Sequence, residues 1–299
     1  MPWNEIWQAD MNENGIVPLV KGISDDEKND DKGFLIVDLN PFENPSSNPS
    51  PNRQISVLTQ VTIPANKNES YVLIKKLLDN YIAKNGVSDP LSNAEITEIK
   101  QFLSFAIQTK PMKIVREHVE LNQEIRNDDE WIEILFDIWF KTHRNDSISA
   151  FEHVFVGEAD GGKLGGHHFW YHYYLHDGPF EVTHIEDTIL FIKHVEVQRS
   201  EVSNQAEVIT IQYKYKAKDD HNPNGINLNK KTGGFFVGLS AEGLMAFGTM
   251  AHFEAMRDSS PPEALDISID INEERYNLKV VHKRENGKTF LRTFYPMII

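Results

Sequence analysis

The chain has 299 residues, 40% hydrophobic and 10% aromatic, enough for one large domain or two small ones. It contains no cysteine, which excludes disulfides, thiol catalysis and cysteine-ligated metals. A net charge of −15 argues against a general nucleic-acid coat, because phosphate binding needs a positive surface.

The opening Met1-Pro-Trp-Asn-Glu-Ile-Trp7 has neither the basic n-region nor the apolar h-region of a secretory signal. No apolar run approaches the roughly 20 residues that span a bilayer, so a cytoplasmic protein with no membrane partner is expected. Residues 1–60 hold 4 Lys+Arg against 10 Asp+Glu and read as short apolar pieces between polar loops. Residues 41–53, with Pro41, Pro45, Pro49 and Pro51, form a loop by composition. Ser70 then precedes a helical stripe of Ile74, Leu77, Leu78, Tyr81 and Ile82, with Gly86 as its expected C′ residue. Ser92-Asn-Ala-Glu95 is a capping box that opens a second helix to about Gln108. Trp131, Ile134, Leu135, Ile138 and Trp139 make a third stripe. The N-terminal half therefore reads as mainly helical.

The period changes in the second half. Ile209, Ile211, Tyr213 and Tyr215 alternate with Thr210, Gln212, Lys214 and Lys216, which marks a strand with one wet face. Phe235 to Leu239 reads as a short buried strand, followed by a helix from Ala241 to about Phe253. Leu265 to Asn272 alternates again, and Asn286-Gly287 lies between two further strands as a type I′ hairpin signal. Helices first and antiparallel strands later make an α+β protein. Residues 209–299 balance 12 Lys+Arg against 11 Asp+Glu, so a local cationic cleft belongs in this third.

Chemistry concentrates in Phe151-Glu-His-Val-Phe-Val-Gly-Glu158, a glycine-rich turn, and Gly165-Gly-His-His-Phe-Trp170. His153, His167, His168, His172 and His176 fall within the 24 residues from 153 to 176. Histidine can both take and give a proton near neutral pH, and two of them flanking a phosphodiester form a base–acid pair. A helix starting near His167 would aim its first N–H groups at an anion. Two other readings stay open. His168, His172 and His176 at i, i+4 and i+8 have a metal-ligand spacing. The aromatic run His167 to Leu175 also suits a buried helix with incidental histidines.

These motifs resemble the EndoU signature of the XendoU and placental-protein-11 family. The Phe-His-Asn-Trp-type motif of that family corresponds to His167-His168-Phe169-Trp170. Its lysine motif is similar to Lys230-Lys-Thr-Gly-Gly-Phe-Phe-Val-Gly238, and its closing Thr-x-Tyr-Pro to Thr293-Phe-Tyr295-Pro296. Trp7-Gln-Ala-Asp-Met-Asn12 is similar to the opening motif, so the resemblance covers nearly the whole chain.

The resemblance implies a single EndoU-like domain over 1–299, with a helical lobe (about 1–150) and a catalytic, sheet-rich lobe (about 151–299) around a cleft. It implies cleavage of single-stranded RNA at uridylates with 2′,3′-cyclic phosphate products, as in the coronavirus uridylate-specific endoribonuclease. By the same mapping His153 is the expected base, His168 the expected acid (an order that can be exchanged) and Lys230 the cation on the phosphorane. Lys231, Gly234, Thr293 and Tyr295 are expected at the substrate, with Glu152, Glu158 and His167 in support. The chemistry is expected to need no cofactor, with Mn²⁺ as a stimulant. No DNA partner is expected, and a monomer is favoured. Two departures bear on base choice: Gly234 stands where relatives often carry Ser, and Phe169 where they carry Asn. The rival functions are a weak or inactive RNA-binding protein on the same scaffold and a metal-dependent hydrolase on the His168/His172/His176 face.

Overall fold

The computed structural model describes residues 2–41, 56–81, 90–121, 123–142, 148–177, 189–219, 222–258 and 260–299. The chain opens with a helix (α1, Trp3–Glu13) that buries Trp3, Ile6, Trp7, Asp10 and Met11. Those positions recur every three or four residues and so form one face. Three short strands follow: β1 (Val17–Val20), β2 (Phe34–Val37) and β3 (Leu58–Thr62). They pair in the order β1-β2-β3, parallel and then antiparallel. The short apolar pieces read between polar loops include these strands, whose type the sequence did not reveal. Phe34-Leu-Ile-Val37 is buried at every position, so it shows no alternation by which a strand could be read.

Among the described residues, four helices complete this half: α2 (Asn68–Leu78), α3 (Asn93–Ala106), α4 (Lys110–Glu120) and α5 (Asp128–Trp139). The capping box is present, with the Glu95 N–H donating to the Ser92 hydroxyl at 3.2 Å and the Ser92 N–H to the Glu95 carboxylate at 2.5 Å. Ser70 lies inside α2 rather than ahead of it, because a 3-10 turn at Ala65–Lys67 starts the helical run earlier. Gly86 and most of the proline-rich loop lie outside the described residues.

The second half holds β4 (Glu158–Asp160), β5 (Lys163–Gly165), α6 (Trp170–His176), β6 (Ile189–Gln198), β7 (Val208–Asp219), β8 (Asn222–Phe236) and α7 (Ala241–Ala255). It ends in β9 (Ala264–Ile271), β10 (Glu274–Glu285) and β11 (Lys288–Met297). One sheet runs β4-β5-β8-β7-β6 and the other β11-β10-β9. Asn286 and Gly287 both sit at positive φ, as the type I′ hairpin requires. The strand expected at Phe235 to Leu239 begins far earlier: Lys230 to Phe236 of the lysine motif belong to the 15-residue β8, held by β7.

One hydrophobic cluster of buried side chains extends from Trp3 through Trp131 and Phe155 to Phe294. A buried polar network also joins α1 to the start of α7. Asp10 accepts from the Ser240 N–H (2.8 Å) and hydroxyl (2.5 Å), and Glu242 accepts from Asn14 (2.6 Å) and Ser70 (2.9 Å). Burial pushes Asp10 up to about 7 and Glu242 up to about 8. This network fixes the chain immediately after β8, the strand that carries Lys230.

Candidate active site

Glu152–Val156 form a π-helical turn closed by the Gly157 N–H on the Glu152 carbonyl (2.7 Å). Phe151 anchors it by stacking on Phe155 and Phe140, with ring centroids 4.4 and 4.7 Å away. Val154 and Phe155 point into the core while His153 faces a cavity of about 590 Å³. Such turns inside helical segments recur at functional sites because they re-aim a side chain.

The loop after β5 docks edge-on against this turn. His167 N–H donates to the His153 carbonyl (2.8 Å) and His168 N–H to the Val154 carbonyl (2.7 Å). Gly166 makes the approach possible: φ is +59°, and a Cβ there would lie 1.7 Å from the His153 oxygen. The expected anion-binding helix start near His167 is therefore corrected. Both N–H groups are already bonded, and α6 begins only at Trp170.

The tandem histidines diverge. His167 is fully buried; its Nδ1 bonds the Tyr213 hydroxyl, its Nε2 the His172 ring at 2.7 Å, and its ring stacks on Tyr215. His168 lines the cavity, directs Nδ1 at the Gly234 carbonyl (3.1 Å) and stacks on Tyr295 with centroids 4.6 Å apart. His172 therefore pairs with His167 and His176 while His168 looks elsewhere, so the supposed His168/His172/His176 face is not formed. Among the described residues no group of three His, Asp or Glu is placed to hold a metal ion.

His153 and His168 face each other across the cavity with ring centroids 6.4 Å apart. His153 Nδ1 meets Glu158 Oε1 at 2.8 Å, and the same oxygen accepts from Arg292 at 3.1 Å. Both imidazoles thus present Nδ1 to an acceptor and keep Nε2 for a substrate. Burial lowers the His153 pKa, with Glu158 opposing the fall. Burial lowers His168 well below the usual imidazole value, and the nearby Lys230 and His153 add to the fall. Glu158 is desolvated, yet His153, Arg292 and Lys230 hold its carboxyl below the usual range. Lys230 is buried, donates to the Gly166 carbonyl, and burial brings it down to about 8.

His153, His168, Lys230, Gly234, Thr293 and Tyr295 therefore line one cavity. Thr293 is buried there with its Oγ1 unpartnered, while one face of the Tyr295 ring is taken by His168. Lys231 is exposed, and neither it nor the buried Glu152 lines the cavity. Gly234 is more than a missing hydroxyl. A Cβ at this position would sit 2.4 Å from the Pro296 carbonyl oxygen, so β11 packs too close for serine. Two residues escaped sequence reasoning. Arg292 directly precedes the closing motif, which was its only signal. Thr210, on the wet face of β7 opposite Gly234, also lines the cavity.

Residues 4–296 match the family described as endoribonuclease XendoU. The chain belongs to this family. That membership sets its enzyme class as endoribonuclease. It is 27% identical over 239 residues to the poly(U)-specific endoribonuclease of Xenopus tropicalis, covering 77% of this chain and 73% of the relative. The poly(U)-specific endoribonuclease-B of Xenopus laevis is 28% identical with the same coverage. The solved structure of XendoU, described as a splicing-independent snoRNA-processing endoribonuclease, superposes with a TM-score of 0.66 at 23% identity. It covers 99% of this chain and 95% of its own, and shows the same mixed fold of helices and sheets.

Proposed function

We propose that this protein cleaves single-stranded RNA after uridylates by transphosphorylation, using His153, His168 and Lys230. The observation that carries the reading is the convergence of two imidazoles and one buried ammonium on a single cavity. The ribose 2′-oxygen attacks phosphorus and its proton passes to one Nε2. The P–O5′ bond breaks, and the 5′-oxygen takes a proton from the other imidazole. The product is a 2′,3′-cyclic phosphate, with no covalent enzyme intermediate. Lys230 lies beside the phosphorane as a point charge, and an ammonium with a pKa of about 8 is still protonated near neutrality.

The electrostatics favour exchanging the roles expected from the sequence. Glu158 opposes the lowering of His153 by burial and stabilises its imidazolium, which no carboxylate among the described residues does for His168, so His153 is the general acid. His168 Nδ1 faces a neutral carbonyl, and burial, with Lys230 and His153 adding to it, depresses the imidazole, which suits it to the role of general base. Thr293 offers its free hydroxyl to a base edge, and Thr210 adds a second hydroxyl at the wall where Gly234 has none. Uridine preference is supported by these hydroxyls and by the names of the relatives. The continuous cluster from Trp3 to Phe294 supports one EndoU-like domain over 1–299. Four RNAs differing only at the cut nucleotide test the function. A kcat/KM highest for uridine is expected, and equal values for all four defeat the uridylate assignment.

A further inference from the structure

We propose that the exposed face of the β7–β8 hairpin is a binding lane for the single-stranded RNA flanking the cut nucleotide. The proposal rests on the functional reading above. Along β7, Thr210, Gln212, Lys214, Lys216 and Lys218 share one face, because strand side chains alternate. Thr210 is in the cavity wall, so the lane is continuous with the candidate active site. Lys214, Lys216 and Lys218 are all exposed. At about 3.4 Å per residue their Cα atoms repeat every ~6.8 Å, a spacing that suits successive phosphates of an extended strand.

The facing strand completes the surface. Lys214 opposes Asn229 and Lys216 opposes Asn227, both exposed and both carrying amide donors and acceptors. A Cβ at Gly225 would lie 2.8 Å from Lys216 Cγ, so the bare glycine leaves room for the lysine stem to cross β8. Lys163 of β5 pairs with Asn229 and widens the patch, though Asp160 opposes it at the sheet edge. Glu196 of β6 flanks Thr210 at the cavity end of the lane. No ion pair engages Lys214 or Lys216 among the described residues. In a chain of net charge −15, a row of three lysines leading from the cavity is charge-complementary to a polyanion.

The test compares a minimal uridine dinucleotide with an RNA extended several nucleotides to both sides of one uridine. The variant is Lys214→Gln/Lys216→Gln/Lys218→Gln, with the triple Lys→Arg variant as charge-keeping control. The Gln variant should cut the dinucleotide within about twofold of wild type, which also shows that it is folded. On the long RNA its kcat/KM should fall at least tenfold, and the log–log salt dependence should become shallower by about 2, at ~0.7 per phosphate. The Arg variant should retain wild-type rates. An unchanged rate on the long RNA, or an equal loss on both substrates, overturns the lane. Failure of wild type to cut either substrate would instead defeat the cleavage reading. Binding of the long RNA by fluorescence anisotropy would still judge the lane in that case, since wild type must bind more tightly than the Gln variant.

Discussion

Glu158→Gln removes the negative charge beside His153 while keeping the side-chain shape. The carboxylate is 2.8 Å from His153 Nδ1 and is itself buried, so this is a charge-assisted bond with little screening. Hydrogen bonds to charged groups contribute about 1.5–3 kcal/mol. Losing the charge therefore lowers the imidazolium pKa further, and that energy corresponds to a factor of about 10 to 10² in the protonated fraction. Arg292 would then face His153 without its shared anion, which pushes in the same direction. If His153 is the acid, its protonated form sets the alkaline limb of kcat/KM. That limb should shift to lower pH, with a ~10- to 10²-fold loss at pH 7 and a far smaller loss on the acid side. The assay is the pH profile of kcat/KM on a short uridine-containing RNA, with thermal unfolding as the check on folding. An alkaline limb that stays in place, or moves up, refutes the assignment of His153 as acid.

His153→Ala, His168→Ala and Lys230→Ala should each lose at least ~10²-fold in cleavage rate while remaining folded, whereas His167→Ala should keep the chemistry and lose about 1–3 kcal/mol of stability in urea unfolding, because it strands the His172 and Tyr213 partners. The opposite pattern for the two adjacent histidines would reverse the choice of His168. Gly234→Ser should not sharpen uridine preference, as the sequence comparison alone suggests; it should lower Tm and kcat/KM, since Cβ meets the Pro296 oxygen at 2.4 Å and overpacking costs about 1–3 kcal/mol. A stable variant with a higher uridine-to-cytidine ratio would contradict that. Stability should decline as pH rises. Asp10 and Glu242 bind protons up to about 7 and about 8 in the fold but only to about 4 when unfolded, so their stabilisation is full below pH ~4 and lost through the folded values. Urea unfolding at pH 6 and pH 9 measures it, and equal free energies would refute the linkage.

What the sequence made legible was local. The Ser92–Glu95 capping box, the Asn286-Gly287 hairpin and the alternation of β7 and β9 each depend on neighbours in the chain, and each appears in the structure. The hidden elements lack a local signature. Phe34-Leu-Ile-Val37 is buried on both faces, α1 places Asp10 on its buried face, and Asn222–Phe236 is too polar and glycine-rich to alternate visibly. At the candidate site, ordered motifs gave the residue types but not their directions. That His167 turns into the core and His168 into the cavity depends on the docking of Gly166 against His153. That Gly234 cannot accommodate serine depends on β11, some sixty residues further along the chain.

The measurement that bears most directly on transphosphorylation is the fate of a short RNA with one uridine, compared with the same RNA carrying 2′-deoxyuridine at that position, followed by mass spectrometry of the products. The ribose substrate should be cut once, leaving a 2′,3′-cyclic phosphate on the 5′ fragment, and the deoxy substrate should remain intact because it has no nucleophile to lose its proton to His168. Cleavage of the deoxy substrate, or a 5′ fragment ending in a free 3′-hydroxyl, would mean that water attacks the phosphodiester and that the two-histidine mechanism is wrong.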